Sequence, residues 1–467
     1  VFYECDRFGY FDLVAFVGIC LVLVLSMNTV LAHGCFDLLH LGHIRHLTEA
    51  RSLGDRLVVS ITCDAHVNKG PGRPHFTAEQ RREALLSLEC VDEVIISETG
   101  TAVDSIYKIK PAVYVKGPDY ANTDNPYLAI EREAVELIGG SFHITTAEKW
   151  SSTELLRTVK LSDAALAYIE GVRKYLPDIL QAFERADKLK IAFIGETVID
   201  EYRYVKPLAK PSKEFILAVV GTNTEKFNGG VRAAAKHGEW RGAEVITSFA
   251  TITKTRFVDA DFSRKLFEVY SSREIEIEAD ERVSFRKKLG ELIVQADLCI
   301  AFDFGHGLLG QLEREALQTA KFLAVTAQAN AGNYGFNSVF NYHRADYVCV
   351  DEPEAMLTVR DRHIALPQIV RRIANRLQTE NIVITRGRYG CLVGDVAIPA
   401  FVSTGFDTMG AGDAFLAVSA PLVAAGLPLE LAAFVGNVAG GLKTAILGHR
   451  QHVGRDDILK NIEWLLK

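Results

Sequence analysis

From residue 28 onward the chain alternates short apolar runs with segments of helical pattern: N-T-V-L-A-H-G, H-L-G-H-I-R-H-L-T-E-A-R-S-L-G, R-L-V-V-S-I-T, T-A-E-Q-R-R-E-A-L-L-S-L-E and D-E-V-I-I-S. Strands this short and this uniformly apolar are buried on both faces, and parallel neighbours need a crossover between them, so the pattern predicts parallel β/α units. The alternation runs on through V-D-S-I-Y-K-I-K-P and A-V-Y-V-K-G to a last strand near S-F-H-I-T-T, closing a first domain over residues 27–160. Residues 161–187 are charged and helical in pattern and read as a linker. A fresh strand at K-I-A-F-I-G-E opens a second domain over residues 188–467. There the alternation returns through V-Q-A-D-L-C-I-A-F-D, R-A-D-Y-V-C-V-D and E-N-I-V-I-T-R-G before a long helical tail. The expected class is α/β in two domains, and 467 residues exceed what one hydrophobic core serves.

Charge and cysteine usage narrow the partners. Lys plus Arg number 52 against 59 Asp plus Glu, a net charge of -7 that offers a polyanion no global attraction, so no nucleic-acid partner is expected. Eight cysteines are scattered without a C-x-x-C pair, which suggests neither a zinc site nor a disulfide framework and fits a reducing, cytoplasmic compartment. Leu13 to Ala32 is a run without charge, long enough to span a bilayer at about 20 residues. Its last residues are needed as the first strand, and the segment V-F-Y-E-C-D-R before it lacks the basic character of a signal peptide. The expectation is a buried strand plus a packing segment rather than an anchor. Met27 stands where the first domain begins, and the residues ahead of it are expected to be an extension without chemistry. A membrane-anchored scaffold is the alternative.

His40 and His43 sit in H-L-G-H directly after a predicted strand, at the opening of a helix. A helix N-terminus presents unpaired N–H groups and the positive end of its dipole, so phosphates bind there, and Gly42 lets them come close to the backbone. Two imidazoles can then stabilise the charge of an in-line attack at an α-phosphate, where positioning and neutralisation are most of what a protein supplies. The full run G-C-F-D-L-L-H-L-G-H, with Gly34, Phe36 and Asp37 ahead of the histidines, resembles the signature of the cytidylyltransferase-like nucleotidyltransferases. That resemblance implies a Rossmann-like fold, a mobile Lys69 in N-K-G-P-G-R-P over the triphosphate, and a helical Arg81 reaching the active site. V-K-G-P-D-Y, with Lys116 and Asp119, is similar to the K-G-x-D-Y of the adenylyltransferase half of bifunctional heptose-phosphate enzymes. W-S-S-T stands at the family's last motif and implies triphosphate contacts from Ser151, Ser152 and Thr153. The arginine that glycerol-phosphate cytidylyltransferases carry before that motif is absent, with Thr145, Thr146 and Ala147 in its place, which favours a sugar phosphate as acceptor.

A second constellation lies at D-T-M-G-A-G-D, ahead of an apolar helix. Small residues at a helix start make an anion hole: Gly410, Ala411 and Gly412 would hold a transferred phosphoryl group while Asp413 takes the proton of a hydroxyl. The motif resembles that of the ribokinase-type carbohydrate kinases and implies a ribokinase-like fold. The same resemblance implies Asp200, Gly229, Gly230 and Asp303 at the sugar, and Thr385, Gly387 and Asn437 at the nucleotide. It also places Asp351 and Glu354, standing for the family's N-x-x-E, at Mg²⁺. The segment after Gly229-Gly230 reads V-R-A-A-A-K-H, so Arg232 or Lys236 would alter the sugar pocket. T-A-Q-A-N-A-G-N-Y-G-F-N replaces a strand that carries aspartate-proline-lysine in the family. Two readings of this domain follow: a working kinase of unusual specificity, or a non-catalytic sugar or nucleotide sensor.

Taken together, the resemblances imply nucleotidyl transfer from CTP or ATP to a sugar or polyol phosphate, giving a nucleoside-diphosphate product and pyrophosphate. They further imply ATP-dependent carbohydrate phosphorylation in the second half, Mg²⁺ in both, and a homodimer through the first domain. The domain order is the reverse of that in the bifunctional heptose enzymes. A glycerol-3-phosphate cytidylyltransferase is the nearest alternative.

Overall fold

The computed structural model describes residues 28–67, 73–120, 126–146, 161–208, 216–401, 405 and 407–467. They divide into two units near residue 160.

In the first unit the strands β1 (Thr29–Gly34), β2 (Arg56–Thr62), β3 (Glu93–Ser97), β4 (Val113–Lys116) and β5 (Ser141–Ile144) form one parallel sheet in the order β3-β2-β1-β4-β5. Successive residues of β1 and β2 enter different cores. Val30, Ala32, Leu57 and Val59 pack with Leu47 of helix α1 (Leu41–Arg51) and Leu85 of α2 (Ala78–Leu86). Leu31 and Val58 face the other way, toward Ile106 of α3 (Val103–Ile109) and Val135 of α4 (Pro126–Leu137). Burial on both faces is why these strands read as unbroken apolar runs. The winding reverses at β1, which has β2 on one side and β4 on the other, and in open α/β sheets such a switch point opens a crevice beyond the carboxyl ends of the strands.

The second unit begins earlier than its first strand. Residues 161–187, expected as a linker, form α5 (Asp163–Val172) and α6 (Leu176–Ala186), whose Ala165, Ile169, Ile179 and Phe183 share one core with Trp240, Leu416 and Phe434. Their charges occupy the outward face, while Asp187 just beyond pairs with Arg455. Burying each of the large apolar side chains on the inner face contributes roughly 1.5–3 kcal/mol, so these helices belong to the unit they precede. The main sheet has eight strands. β9 (Ala243–Ile246), β6 (Ile191–Gly195), β12 (Leu298–Asp303), β13 (Leu323–Ala327), β14 (Tyr347–Asp351) and β15 (Ile382–Thr385) run parallel, followed by antiparallel β16 (Cys391–Val393) and β17 (Val396–Ile398).

A second sheet, in the order β11-β10-β7-β8, is formed by β7 (Thr197–Pro207), β8 (Val219–Gly230), β10 (Ile252–Asp259) and β11 (Lys265–Tyr270). The sequence pattern did not announce it. Most of β8 and β11 is exposed or half-exposed, so neither strand carries the continuous apolar run that marks a buried one. Among the described residues no helix is long and apolar enough to cross a membrane. The residues of the Leu13–Ala32 run up to Met27 lie outside the described residues, and Thr29 to Ala32 are in β1.

Candidate active site

At the switch point of the first unit, β1 ends at Gly34 and the chain turns through Cys35–Leu39 into α1, with His40 as the cap residue. Phe36 takes φ 49°, the left-handed region, and folds its ring back over Gly34. A Cβ on Gly34 would stand 2.9 Å from that ring, which is why glycine is required there. The Phe36 ring meets His43 edge-on at 5.2 Å, and His40 and His43 stack with centroids 3.8 Å apart. His40 Nδ1 accepts the His43 backbone N–H at 3.4 Å, so one imidazole caps the helix and aligns its neighbour. Both open into a cavity of about 660 Å³, a size suited to a nucleotide, lined also by Gly34, Phe36, Gly42 and, from the end of β4, Lys116.

The cavity floor holds polar groups that the sequence pattern did not single out. Burial pushes His33 down to about 3 and His46 to about 4, so both are neutral; their Nδ1 atoms meet Ser60 at 3.1 Å and Thr145 at 2.8 Å. Glu131 of α4 is buried, pairs with Lys116 at 3.0 Å, and accepts from the Ala102 N–H and the Tyr114 hydroxyl. Burial opposes its ionisation, yet the Lys116 ammonium and the Ala102 N–H hold its carboxyl below the usual range. The ammonium also lies 4.8 Å from the Tyr120 ring centroid.

Two residues expected at the nucleotide, Arg81 at its phosphates and Asp37 in the histidine motif, are spent elsewhere. Arg81 is 1% exposed: its guanidinium donates to the carbonyls of Phe76, Cys35 and Thr62 at 3.0, 2.7 and 2.8 Å and to Asp64 at 2.6 Å. It braces the turn after β1 against the end of β2 and does not line the cavity. Asp37 likewise accepts the His75 and Phe76 N–H groups and pairs with buried Arg73, fixing the entry to α2. Lys69, Ser151, Ser152 and Thr153 lie outside the described residues, as does the side chain of Asp119, whose backbone is in the short turn Pro118–Tyr120.

In the second unit, D-T-M-G-A-G-D leads into the helix Ala411–Ala424, with Gly410 at φ 73°. A Cβ there would meet His449 Cε1 at 2.9 Å. Asp407 ties the loop together: its carboxylate takes Lys265 at 2.6 Å, the Tyr202 hydroxyl at 3.2 Å and the N–H groups of Met409 and Gly448. Asp413 sits in the first turn, where burial and Asp200 push its carboxyl upward against His449 and Lys443, as suits a proton acceptor.

The expected sugar ligands are otherwise engaged. Asp200 is 4% exposed, pairs with Arg256 and meets His449 at 3.1 Å; these partners hold its carboxyl below the usual range although burial opposes this. Asp303 is 1% exposed and accepts from Arg314, Tyr342 and Asn337. Asn330, Asn333 and Asn337 of the asparagine-rich segment brace the same strand end through the carbonyls of Asp303 and Phe304. A Cβ on Gly229 would lie 2.2 Å from Asp200, and one on Gly230, at φ 61°, would lie 2.3 Å from the Glu196 carbonyl, so this pair serves close packing of β8 on β7. Arg232 turns to Thr197 at 3.1 Å.

At the expected nucleotide side, Asn437 donates to the Pro399 carbonyl at 2.7 Å, Thr385 ends β15, and Gly387 follows at φ 53°. Asp351 and Glu354 cap the helix Glu352–Val359 reciprocally, each accepting the other's backbone N–H. Burial and Asp351 push Glu354 up to about 8, and burial with Glu352 raises the Asp351 carboxyl. No group of three or more candidate metal ligands is preassembled among the described residues.

Two segments of the chain match known families. Residues 31–158 match the cytidylyltransferase-like family and residues 340–450 the pfkB family carbohydrate kinases. The chain thus carries a cytidylyltransferase-like domain at its N-terminal side and a pfkB-type carbohydrate-kinase domain after it.

The first of these is similar to the bifunctional protein HldE of Pelobacter propionicus, 40% identical over 126 residues, and of Syntrophotalea carbinolica, 35% over 135 residues. These matches cover 27% and 28% of this chain and 25% and 27% of those proteins, so the chain spans about a quarter of the length of the curated relatives it matches. Phosphofructokinase-2 from Escherichia coli, solved in complex with substrates and products, aligns over 59% of this chain and 100% of its own at 14% identity and a TM-score of 0.47.

Proposed function

We propose that the first unit transfers a nucleotidyl group from CTP or ATP to a sugar or polyol phosphate, releasing pyrophosphate. The observation that carries this reading is the stacked His40–His43 pair at the start of α1, opening with Lys116 into one cavity at the sheet's switch point. In this reading the acceptor phosphate attacks the α-phosphorus in line. The two imidazoles and the α1 amides take up the charge that develops on the α-phosphate oxygens, and Lys116 neutralises a second phosphate. Lys69 and Ser151 to Thr153 would hold the β- and γ-phosphates. A cytoplasmic location, where nucleoside triphosphates are abundant, and pairing of two copies through this unit belong to the same proposal.

For the second unit we propose ATP-dependent phosphorylation of a carbohydrate, with Asp413 as base and the Gly410–Gly412 turn as anion hole. Asp351 and Glu354 fit Mg²⁺ arriving with nucleotide phosphates: each spends one oxygen on a backbone N–H, and carboxyls raised by burial and by a neighbouring carboxylate are relieved by a hard divalent cation. The ion would supply charge neutralisation on the phosphates. One observation favours the sensor reading instead, namely that the Asp200 carboxylate is already satisfied by Arg256 and His449.

Pyrophosphate release from CTP, ATP, GTP and UTP against a panel of sugar and polyol phosphates tests the first unit. A signal dependent on both nucleotide and acceptor supports the transfer; its absence across the panel overturns it. ATP-dependent phosphorylation of a sugar that Asp413→Ala abolishes rules out the sensor reading, and sugar binding without ATP turnover establishes it.

A further inference from the structure

Lys443, the last residue of the helix Leu429–Lys443, is fully buried, and among the described residues its ammonium faces no carboxylate directly. It donates instead to three backbone carbonyls, those of Gly448 at 2.6 Å, Met409 at 2.9 Å and Ile446 at 3.4 Å. Three donors meet three acceptors, so the ammonium is saturated. Burial makes the charge costly, and the Lys443 pKa is lowered for that reason. The helix's carboxyl-terminal dipole and the carboxylates of Asp407 and Asp413 offset part of the cost.

What the charge joins explains its position. Met409 immediately precedes Gly410, where the chain turns at φ 73° into the first turn that holds Asp413, and the Lys443 stem passes this glycine. Ile446 and Gly448 belong to the following turn, which gives the Gly448 N–H to Asp407 and carries His449 against Asp200. The two turns present their carbonyls to one point and would repel across it without a positive charge. Carbonyl cages of this kind also hold potassium in place of its hydration shell.

We propose that the Lys443 ammonium is a tethered monovalent cation, a positioning group that sets the D-T-M-G-A-G-D turn so that this unit needs no potassium-sized ion for the purpose. Phosphoryl transfer, as proposed above, enters only as the use to which the turn is put. The test reads stability, so an inactive kinase leaves it intact and a failed cation test leaves the kinase reading intact.

Thermal unfolding of the full chain is compared in choline, lithium, potassium and ammonium chlorides at equal ionic strength. The wild type is expected to unfold at the same temperature in all four. Lys443→Ala, which empties the cage, is expected to unfold earlier in choline and lithium and to recover in potassium and ammonium. Lys443→Met, which fills the cage without charge, is expected to unfold earlier in every salt. A potassium-specific rise in the wild type overturns the proposal whether or not the alanine variant folds. So does a Lys443→Ala protein whose unfolding temperature is the same in potassium and lithium.

Discussion

Replacing Arg81 by lysine keeps the charge and removes the fork. A lysine ammonium on α2 could reach one of the three carbonyls that Arg81 now satisfies, leaving about two of Phe76, Cys35 and Thr62 unpartnered in the interior. Each buried acceptor stripped of its donor costs about 1–3 kcal/mol, whereas the lost contact to half-exposed Asp64 adds little, so the total is roughly 3 kcal/mol. In a unit of this size that lowers the unfolding temperature by roughly 10 °C. Calorimetry of the full chain, followed by initial rates below the shifted transition, measures both consequences. The expected outcome is a large loss of stability, a moderate loss of turnover because the Cys35 carbonyl anchors the turn that carries His40, and a nucleotide KM close to wild type. An unchanged unfolding temperature with KM raised about tenfold, the mark of a lost contact worth about 1.4 kcal/mol, would refute the brace and restore Arg81 as a phosphate ligand.

Glu131→Gln removes the buried carboxylate that pairs with Lys116; a stability loss of about 3 kcal/mol with a fall in nucleotidyl transfer is expected by chemical denaturation and rate measurement, and a silent substitution contradicts the pairing. His33 and His46 have folded pKa values of about 3 and 4, below the unfolded value of about 6.5, so their contribution is complete above pH 6.5 and lost as the pH falls through the folded values. Each should take about 1.4 kcal/mol per pH unit from the first unit below pH 6.5, and a flat profile between pH 6.5 and 5 in thermal scans would count against their burial as neutral rings. Asp200→Ala removes the buried carboxylate that pairs with Arg256 and His449, leaving Arg256 with Glu268 at 3.4 Å, and should cost about 3 kcal/mol; a variant of unchanged stability with only a weakened sugar KM would show that Asp200 serves the sugar instead.

Local pattern carried the parallel β/α alternation of both units and the places of both glycine-rich turns, because strands buried on two faces and helix starts leave marks within a few residues. The side-chain commitments of charged residues left no such marks. Arg81 read as a phosphate ligand and Asp37 as part of the nucleotide-binding motif, and only the fold reveals that Cys35, Thr62 and Arg73 come to meet them. Glu131 stood in an ordinary amphipathic helix, with nothing in its neighbours to announce a lysine at the end of β4. Residues 161–187 looked like a linker because their charges dominate the composition, while the stripe formed by Ala165, Ile169, Ile179 and Phe183 becomes meaningful only against Trp240 and Leu416, far along the chain. Lys443 was one cation in a helical tail until the carbonyls of Met409 and Gly448 closed on it.

Nucleotidyl transfer at the His40–His43 cavity can be followed by phosphorus NMR of the full chain with Mg²⁺, nucleoside triphosphate and sugar phosphate, comparing wild type, His43→Ala and Asp413→Ala. A diphosphate-linked product and pyrophosphate are expected from wild type and Asp413→Ala, with the rate down about 10²–10³-fold in His43→Ala. Product formation at the wild-type rate in His43→Ala would place the chemistry elsewhere and contradict that expectation.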